Sequence, residues 1–135
     1  MHNKKTIKSF RDLEVYKDSY KASIIVITRV ISKLPDTEKF DLCNQLSRSC
    51  KAIPRLIAEG FAKKHQRAGF QKYIDDAIAE CNETIVGLEH CRDIYKLNPA
   101  AVQKLVNMYD KSARQLYRLR EAWNNFKRKP QNQNL

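Results

Sequence analysis

Residues 50–64 read Cys-Lys-Ala-Ile-Pro-Arg-Leu-Ile-Ala-Glu-Gly-Phe-Ala-Lys-Lys. Ile53, Ile57 and Phe61 recur every four residues, so they share one face of a helix. Lys51 and Arg55 repeat the spacing on a different face. Pro54 lacks a backbone donor and crowds the preceding turn, which predicts a bend there. Gly60 lets a neighbouring backbone approach closely. The stretch therefore predicts a kinked core helix with a basic outer side.

Working outward, this second helix spans about residues 38–63, with Phe40, Leu42, Leu46, Ile53, Ile57 and Phe61 inward. Upstream, Leu34-Pro35-Asp36-Thr37 is a break: Pro35 stops the first helix, and Asp36 or Thr37 can cap the second. The first helix covers about residues 11–33 on a stripe of Leu13, Tyr16, Tyr20, Ile24, Ile27 and Ile31. Ser9 is its candidate cap, with Asp12 in the first turn. The β-branched run Ile24-Ile25-Val26-Ile27 admits a strand, but the length and continuous period favour helix.

Downstream, residues 64–67 turn the chain into a third helix over about residues 68–97. Its stripe is Phe70, Tyr73, Ile74, Ala77, Ile78, Cys81, Ile85, Leu88, Cys91 and Tyr95. Asn98-Pro99 is a strong helix start, Asn as cap and Pro at the first helical position. The fourth helix covers about residues 99–127, with Val102, Leu105, Val106, Tyr109, Ala113, Leu116, Trp123 and Phe126 inward. Four amphipathic helices on short links predict an all-α, up-down-up-down four-helix bundle over residues 10–127. A flexible basic arm (residues 1–9) precedes it and a disordered polar tail (residues 128–135) follows.

Three motifs carry a resemblance. Residues 52–61, Ala-Ile-Pro-x-x-Ile-Ala-Glu-Gly-Phe, resemble the hallmark of the four-helix-bundle proteins encoded in large-subunit rRNA intervening sequences. Phe10-Arg-Asp-Leu-Glu-Val-Tyr16 resembles that family's opening. Phe70-x-x-Tyr-Ile-x-x-Ala77, followed by Glu83-Thr84 and Leu88, resembles its third helix. The similarity runs over about residues 10–97. Leu56 departs from the family's usual Asn and His65 from its usual Ser cap. The same fold group holds the accessory variability protein of diversity-generating retroelements. The resemblance therefore implies a ring-like homo-oligomer, a pentamer, that binds a reverse transcriptase and its RNA.

With 135 residues the chain reads as one domain. Three glycines and four prolines are few, as expected of long helices rather than a turn-rich β protein. The net charge of +11 favours a polyanionic partner: RNA, DNA or an RNA/DNA hybrid, or an anionic membrane surface. The charge is segregated. Residues 48–72 carry net +6 and residues 111–129 net +6, while residues 73–93 carry net −5. Cys43, Cys50, Cys81 and Cys91 lack C-x-x-C spacing and read as buried small hydrophobes in a reducing cytoplasm. No apolar run follows the basic first residues, so no signal peptide is expected, and no run is long enough to span a bilayer.

No catalytic constellation emerges. Tyr73-Ile74-Asp75-Asp76 matches a reverse-transcriptase string, but that chemistry needs its carboxylates on a hairpin turn, and here they fall mid-helix. Asp76, Glu80 and Glu83 share a face, yet neither His65 nor His90 completes a Glu-x-x-His di-metal pattern, so no metal is expected. They read as a solvated acidic face, or as an ion-pair surface for another copy. Glu59 reads as a salt bridge or helix-end contact, with no nucleophile or orienter beside it. An enzyme and a cofactor are not expected.

The basic rows carry the functional reading. Arg48, Lys51 and Arg55 share one face of the second helix, and Lys63, Lys64, Arg67 and Lys72 extend the charge through the turn. Lys104, Lys111, Arg114 and Arg118 share a face of the fourth helix, which Lys127-Arg128-Lys129 ends. Such rows can track a phosphate backbone without reading bases. The aromatics are assigned to the core, so base stacking is not expected. The apolar face of the fourth helix is also assigned to the core, which leaves no membrane-binding face. The site residues are Arg48, Lys51, Arg55, Lys63, Lys64, Arg67, Arg114 and Arg118. With the resemblance, they point to a cytoplasmic, non-catalytic scaffold that holds a reverse transcriptase and template RNA and supports cDNA synthesis. The alternatives are an rRNA intervening-sequence product whose evident property is self-association, and an adaptor whose basic faces bind an acidic protein.

Overall fold

The structure, a computed structural model, describes residues 6–123. The expectations for Phe126, for Lys127-Arg128-Lys129, for the first five residues of the arm and for the polar tail lie outside the described residues. Four long helices form: α1 (Glu14–Ile25), α2 (Leu42–Ala62), α3 (Arg67–Ile94) and α4 (Pro99–Glu121). No strand occurs among the described residues. The helix pairs in contact are α1–α2, α2–α3, α3–α4 and α1–α4, which encloses one core.

The first helix is less regular than its periodicity predicts. Ser9 and Asp12 do form a capping box, but around a separate 3-10 turn, Phe10–Asp12. The Asp12 carboxylate accepts the N–H groups of Lys8 (2.8 Å) and Ser9 (2.9 Å), and those bonds hold its carboxyl below the usual range. Leu13 is then extended, and α1 starts only at Glu14. Past Ile25 the backbone widens into a π turn, Val26–Val30, and tightens into a 3-10 turn, Ile31–Lys33. The second helix likewise starts late. A 3-10 turn, Asp36–Glu38, precedes it, and Phe40 is 87% exposed rather than inward.

The buried face of helix one also differs. Val15, Ser19, Ala22, Ser23, Val26 and Val30 are buried. Tyr20 (51% exposed) and Ile24 (46%) lie outside, and Tyr16, Ile27 and Ile31 are half-buried. Both sets obey the 3-4 spacing of a helix face. The structure buries the smaller set. Its serines stay satisfied: the Ser19 and Ser23 hydroxyls donate to the Tyr16 and Tyr20 carbonyls at 3.1 and 2.6 Å.

The expected stripes of α2, α3 and α4 otherwise face the core. Leu42, Leu46, Ile53, Ile57, Phe61, Phe70, Ile74, Leu88, Val102, Leu105, Tyr109 and Leu116 are all buried. Pro54 is buried within α2, which continues through it. Leu56, the departure from the family motif, is buried too and so replaces a polar group with core surface. Cys50, Cys81 and Cys91 are buried as free thiols and Cys43 is half-buried. Burial pushes Cys50 and Cys91 up to about 11 and Cys81 up to about 12, which leaves them poor nucleophiles at neutral pH. Asn98 caps α4 as its sequence suggests, accepting the Ala101 N–H at 3.1 Å, with Pro99 in the first turn. α3 ends on Lys96 in the left-handed region (φ 55°), and the Leu97 N–H reaches back to the Cys91 carbonyl.

The α2–α3 seam is built from small residues. A Cβ on Gly87 would lie 2.6 Å from Leu46 Cδ2 and 3.0 Å from its Cγ, and one on Gly60 would lie 3.1 Å from Tyr73 Cβ. Between them, a buried 2.8 Å hydrogen bond joins the Thr84 and Ser49 hydroxyls, and the Glu80 carbonyl lies 2.8 Å from the same Thr84 hydroxyl. Leu46 is buried and cannot swing out to solvent. Gly87→Ala is therefore expected to destabilise the fold by about 1–3 kcal/mol through overpacking. Gly69→Ala, whose added methyl would meet nothing nearer than 3.4 Å, is expected to be neutral or stabilising by up to about 1 kcal/mol. Urea denaturation of the two variants checks the contrast.

Candidate nucleic-acid interface

All eight site residues named from the sequence lie at the surface. Arg48, Lys51, Arg55, Lys63, Arg67, Arg114 and Arg118 are exposed and Lys64 is half-buried. They do not form one continuous track. α2 contacts α1 and α3, whereas α4 contacts α3 and α1, so the two basic rows sit on diagonal helices.

The α2 row is bordered by carboxylates. Arg55 Nη1 pairs with Glu59 Oε1 at 2.8 Å along the same helix, which accounts for the motif glutamate. Glu80 of α3 comes within the field of Arg48 and Arg55. Its carboxyl is raised, first by burial and then by Glu83, with the two arginines opposing. The turn after α2 is partly engaged as well. Lys64 Nζ lies 4.1 Å from the Phe61 ring centroid and the Arg67 guanidinium 5.9 Å from that of Trp123. Lys72 pairs with Asp76 at 3.1 Å, and Arg120 of α4 pairs with Asp75 at 2.8 Å. Both aspartates of the Tyr-Ile-Asp-Asp string are thus ion-paired. Among the described residues no group of three or more His, Cys, Asp or Glu could hold a metal.

The α4 row is different. Lys104, Lys111, Arg114 and Arg118 are exposed, and none of them takes part in an ion pair among the described residues. The packing of α4 on α1 adds two cations that periodicity did not single out. Arg29 and Lys33, with Lys104, edge a groove of about 370 Å³ floored by Ile25, Val30, Val102, Leu105 and Met108, and no carboxylate lines it. It lies where the backbone of helix one passes through its π turn. Arg29 and Lys33 are four apart on the sequence, so their shared face was readable; that it would border α4 was not.

The family model described as 23S rRNA-intervening sequence protein matches residues 11–118. The chain belongs to that family. No curated protein matches it at a significant level. The match covers all four helices up to the last turn of α4. No helix among the described residues is long and apolar enough to cross a membrane.

The raised Glu80 carboxyl gives a test of this electrostatic picture. A folded-state value above the unfolded one means that the charged form costs stability, so the cost is absent at low pH and grows as pH rises through the folded value. Glu80→Gln is expected to raise the urea midpoint at pH 7, and the gain should vanish near about pH 4.

Proposed function

We propose that this family member is a non-catalytic bundle that holds RNA by its phosphate backbone. The observation that carries the reading is the unpaired row Lys104, Lys111, Arg114 and Arg118 on α4, continued by Arg29 and Lys33 of helix one. None of these six cations is ion-paired among the described residues, although Glu14 shares a groove with Arg118, and each can displace a condensed counterion. The α2 cations Arg48, Lys51 and Arg55, with Lys63, Lys64 and Arg67, form a second and weaker contact surface, because Glu59 and Glu80 offset part of their field. In its full form the proposal makes the RNA the template of a retroelement reverse transcriptase, with the bundle supporting cDNA synthesis in the cytoplasm. The motif resemblance supports that form. The family's description favours a second reading, in which the chain is the product of a 23S rRNA intervening sequence and the RNA it holds is ribosomal.

The up-down-up-down course belongs to the proposal and is supported by pairwise contacts. Leu46 neighbours Gly87 and Gly60 neighbours Tyr73 across α2–α3, and Asp75 meets Arg120 across α3–α4. Self-association into a ring, a pentamer, belongs to it as well. The outer face of α3 carries Glu83, Val86, Asp93 and Ile94, with Val86 and Ile94 more than half exposed. An acidic, apolar face of that kind complements a basic surface on the next copy, and a head-to-tail contact closes into a ring when its rotation allows.

Two measurements test this. RNA affinity is expected to fall steeply with salt, and Arg114→Ala or Arg118→Ala should each flatten the log–log slope by about 0.7–0.9. Arg55→Ala should flatten it less, because Arg55 is already paired. Salt-independent retention of RNA overturns the reading. Light scattering is expected to give a mass several times the 15.8 kDa of one chain. Val86→Glu with Ile94→Lys should return the protein to the monomer mass.

A further inference from the structure

Sequence periodicity assigns Tyr16 and Tyr20 to the core; the structure packs Tyr16 against it in part and leaves Tyr20 exposed on the flank of α1. There they form a ladder with Phe10. The Phe10 and Tyr16 rings meet edge to face, with centroids 4.8 Å apart and planes at 73°. The Tyr16 and Tyr20 rings stack at 6.0 Å and 29°. The Arg11 guanidinium lies 4.5 Å from the Phe10 ring centroid. Phe10 and Tyr16 are half-buried and so are held from beneath, while Tyr20 is 51% exposed. The outermost ring is therefore available on one face and backed on the other.

Cations border this ladder. Lys17 precedes Tyr20 by three residues and Lys21 follows it directly, and both are exposed. At 100° per residue they fall on the outward side of α1, between the aromatic flank and the opposite flank that meets α4. Lys17 shares a 3.5 Å contact with Glu14, longer and looser than the 2.8 Å Arg55–Glu59 pair, so more of its charge stays available. Lys21 takes part in no ion pair among the described residues.

We infer that the Phe10–Tyr16–Tyr20 ladder is a stacking platform for unpaired bases, so that the nucleic acid held by this protein is single-stranded at α1. The proposal rests on the RNA-holding reading and adds the strandedness of the ligand. Lys17 and Lys21 take the phosphates beside the platform, and the exposed face of Tyr20 takes a base. A duplex hides its base faces in its own stack and gains nothing from the ring. A single strand presents them, and stacking on an aromatic side chain is tolerant of which base it is. The chemistry suits a tyrosine: the ring supplies the π face, and Tyr20→Phe keeps it.

The test uses the full chain, with fluorescein-labelled oligouridylate and a blunt RNA duplex of equal length as probes. Tyr20→Ala is expected to weaken oligouridylate binding roughly tenfold and leave duplex binding unchanged. Tyr20→Phe is expected to restore single-strand affinity. Phe40→Ala, which removes an aromatic that is 87% exposed and lies away from the ladder, is expected to change neither. Equal loss for both probes in Tyr20→Ala overturns the platform, as does unchanged single-strand affinity, or a change in assembled mass that accounts for the loss. Any of these leaves the phosphate reading standing if Arg118→Ala still flattens the salt dependence. Failure of the wild-type chain to bind either probe at low salt overturns both.

Discussion

The close approach of α2 and α3 sets the rest of the molecule. Gly60 and Gly87 remove the side chains that would hold the helices apart, and the buried Ser49–Thr84 hydroxyl pair spans the seam between them. Close packing brings the core stripes into register and puts the outer flanks of the same helices beside each other. The basic flank of α2 thereby meets the acidic flank of α3, and Glu80 settles near Arg48 and Arg55. The arrangement that stabilises the seam therefore also offsets part of the charge of one of the two basic rows. The other row, on the far side of the bundle, keeps its charge.

Much of this was legible in the sequence. Helices two, three and four carry one apolar stripe each, and the caps at Ser9 and Asn98 are used. Helix one carries two candidate stripes, and periodicity cannot choose between them. The larger residues favour Tyr16, Tyr20 and Ile24 by hydrophobicity, but packing buries Ser19, Ala22 and Ser23. Serine reads as polar on any scale, and only the backbone carbonyls of the preceding turn make it cheap to bury. The π turn at Val26–Val30 leaves no signal in a run of β-branched residues that suits a helix or a strand. The site was half legible for a related reason. Spacing assigns cations to a face of their own helix, and the identity of the neighbouring helix decides whether that face meets carboxylates.

Net charge is a poor guide to where a polyanion binds until the pairs are removed from it. Arg55 of α2 and Lys72 of α3 face carboxylates of their own helices, and Arg120 of α4 faces Asp75 of α3, all within 3.1 Å. Such exposed pairs add little to stability, about 0–1 kcal/mol each. Their effect on recognition is larger, since a paired guanidinium has already exchanged counterions for a carboxylate and releases fewer on meeting a phosphate. The segregation of signs along the sequence thus becomes, in three dimensions, a molecule with one side whose cations are partly offset and one side whose cations are not ion-paired among the described residues.

The aromatic ladder and the basic side meet on α1, and their combination constrains the kind of recognition on offer. Phosphate contacts and base stacking are both indifferent to sequence. Discrimination would come from strandedness and from the spacing of sites. Within one chain the platform is short, a single exposed ring backed by two others. In the proposed ring of copies, the same element would become a series of stacking points at fixed separation, and affinity for a long flexible strand would grow through effective concentration rather than through any tighter single contact. Under that proposal, strand length, more than base composition, would decide which RNA is retained.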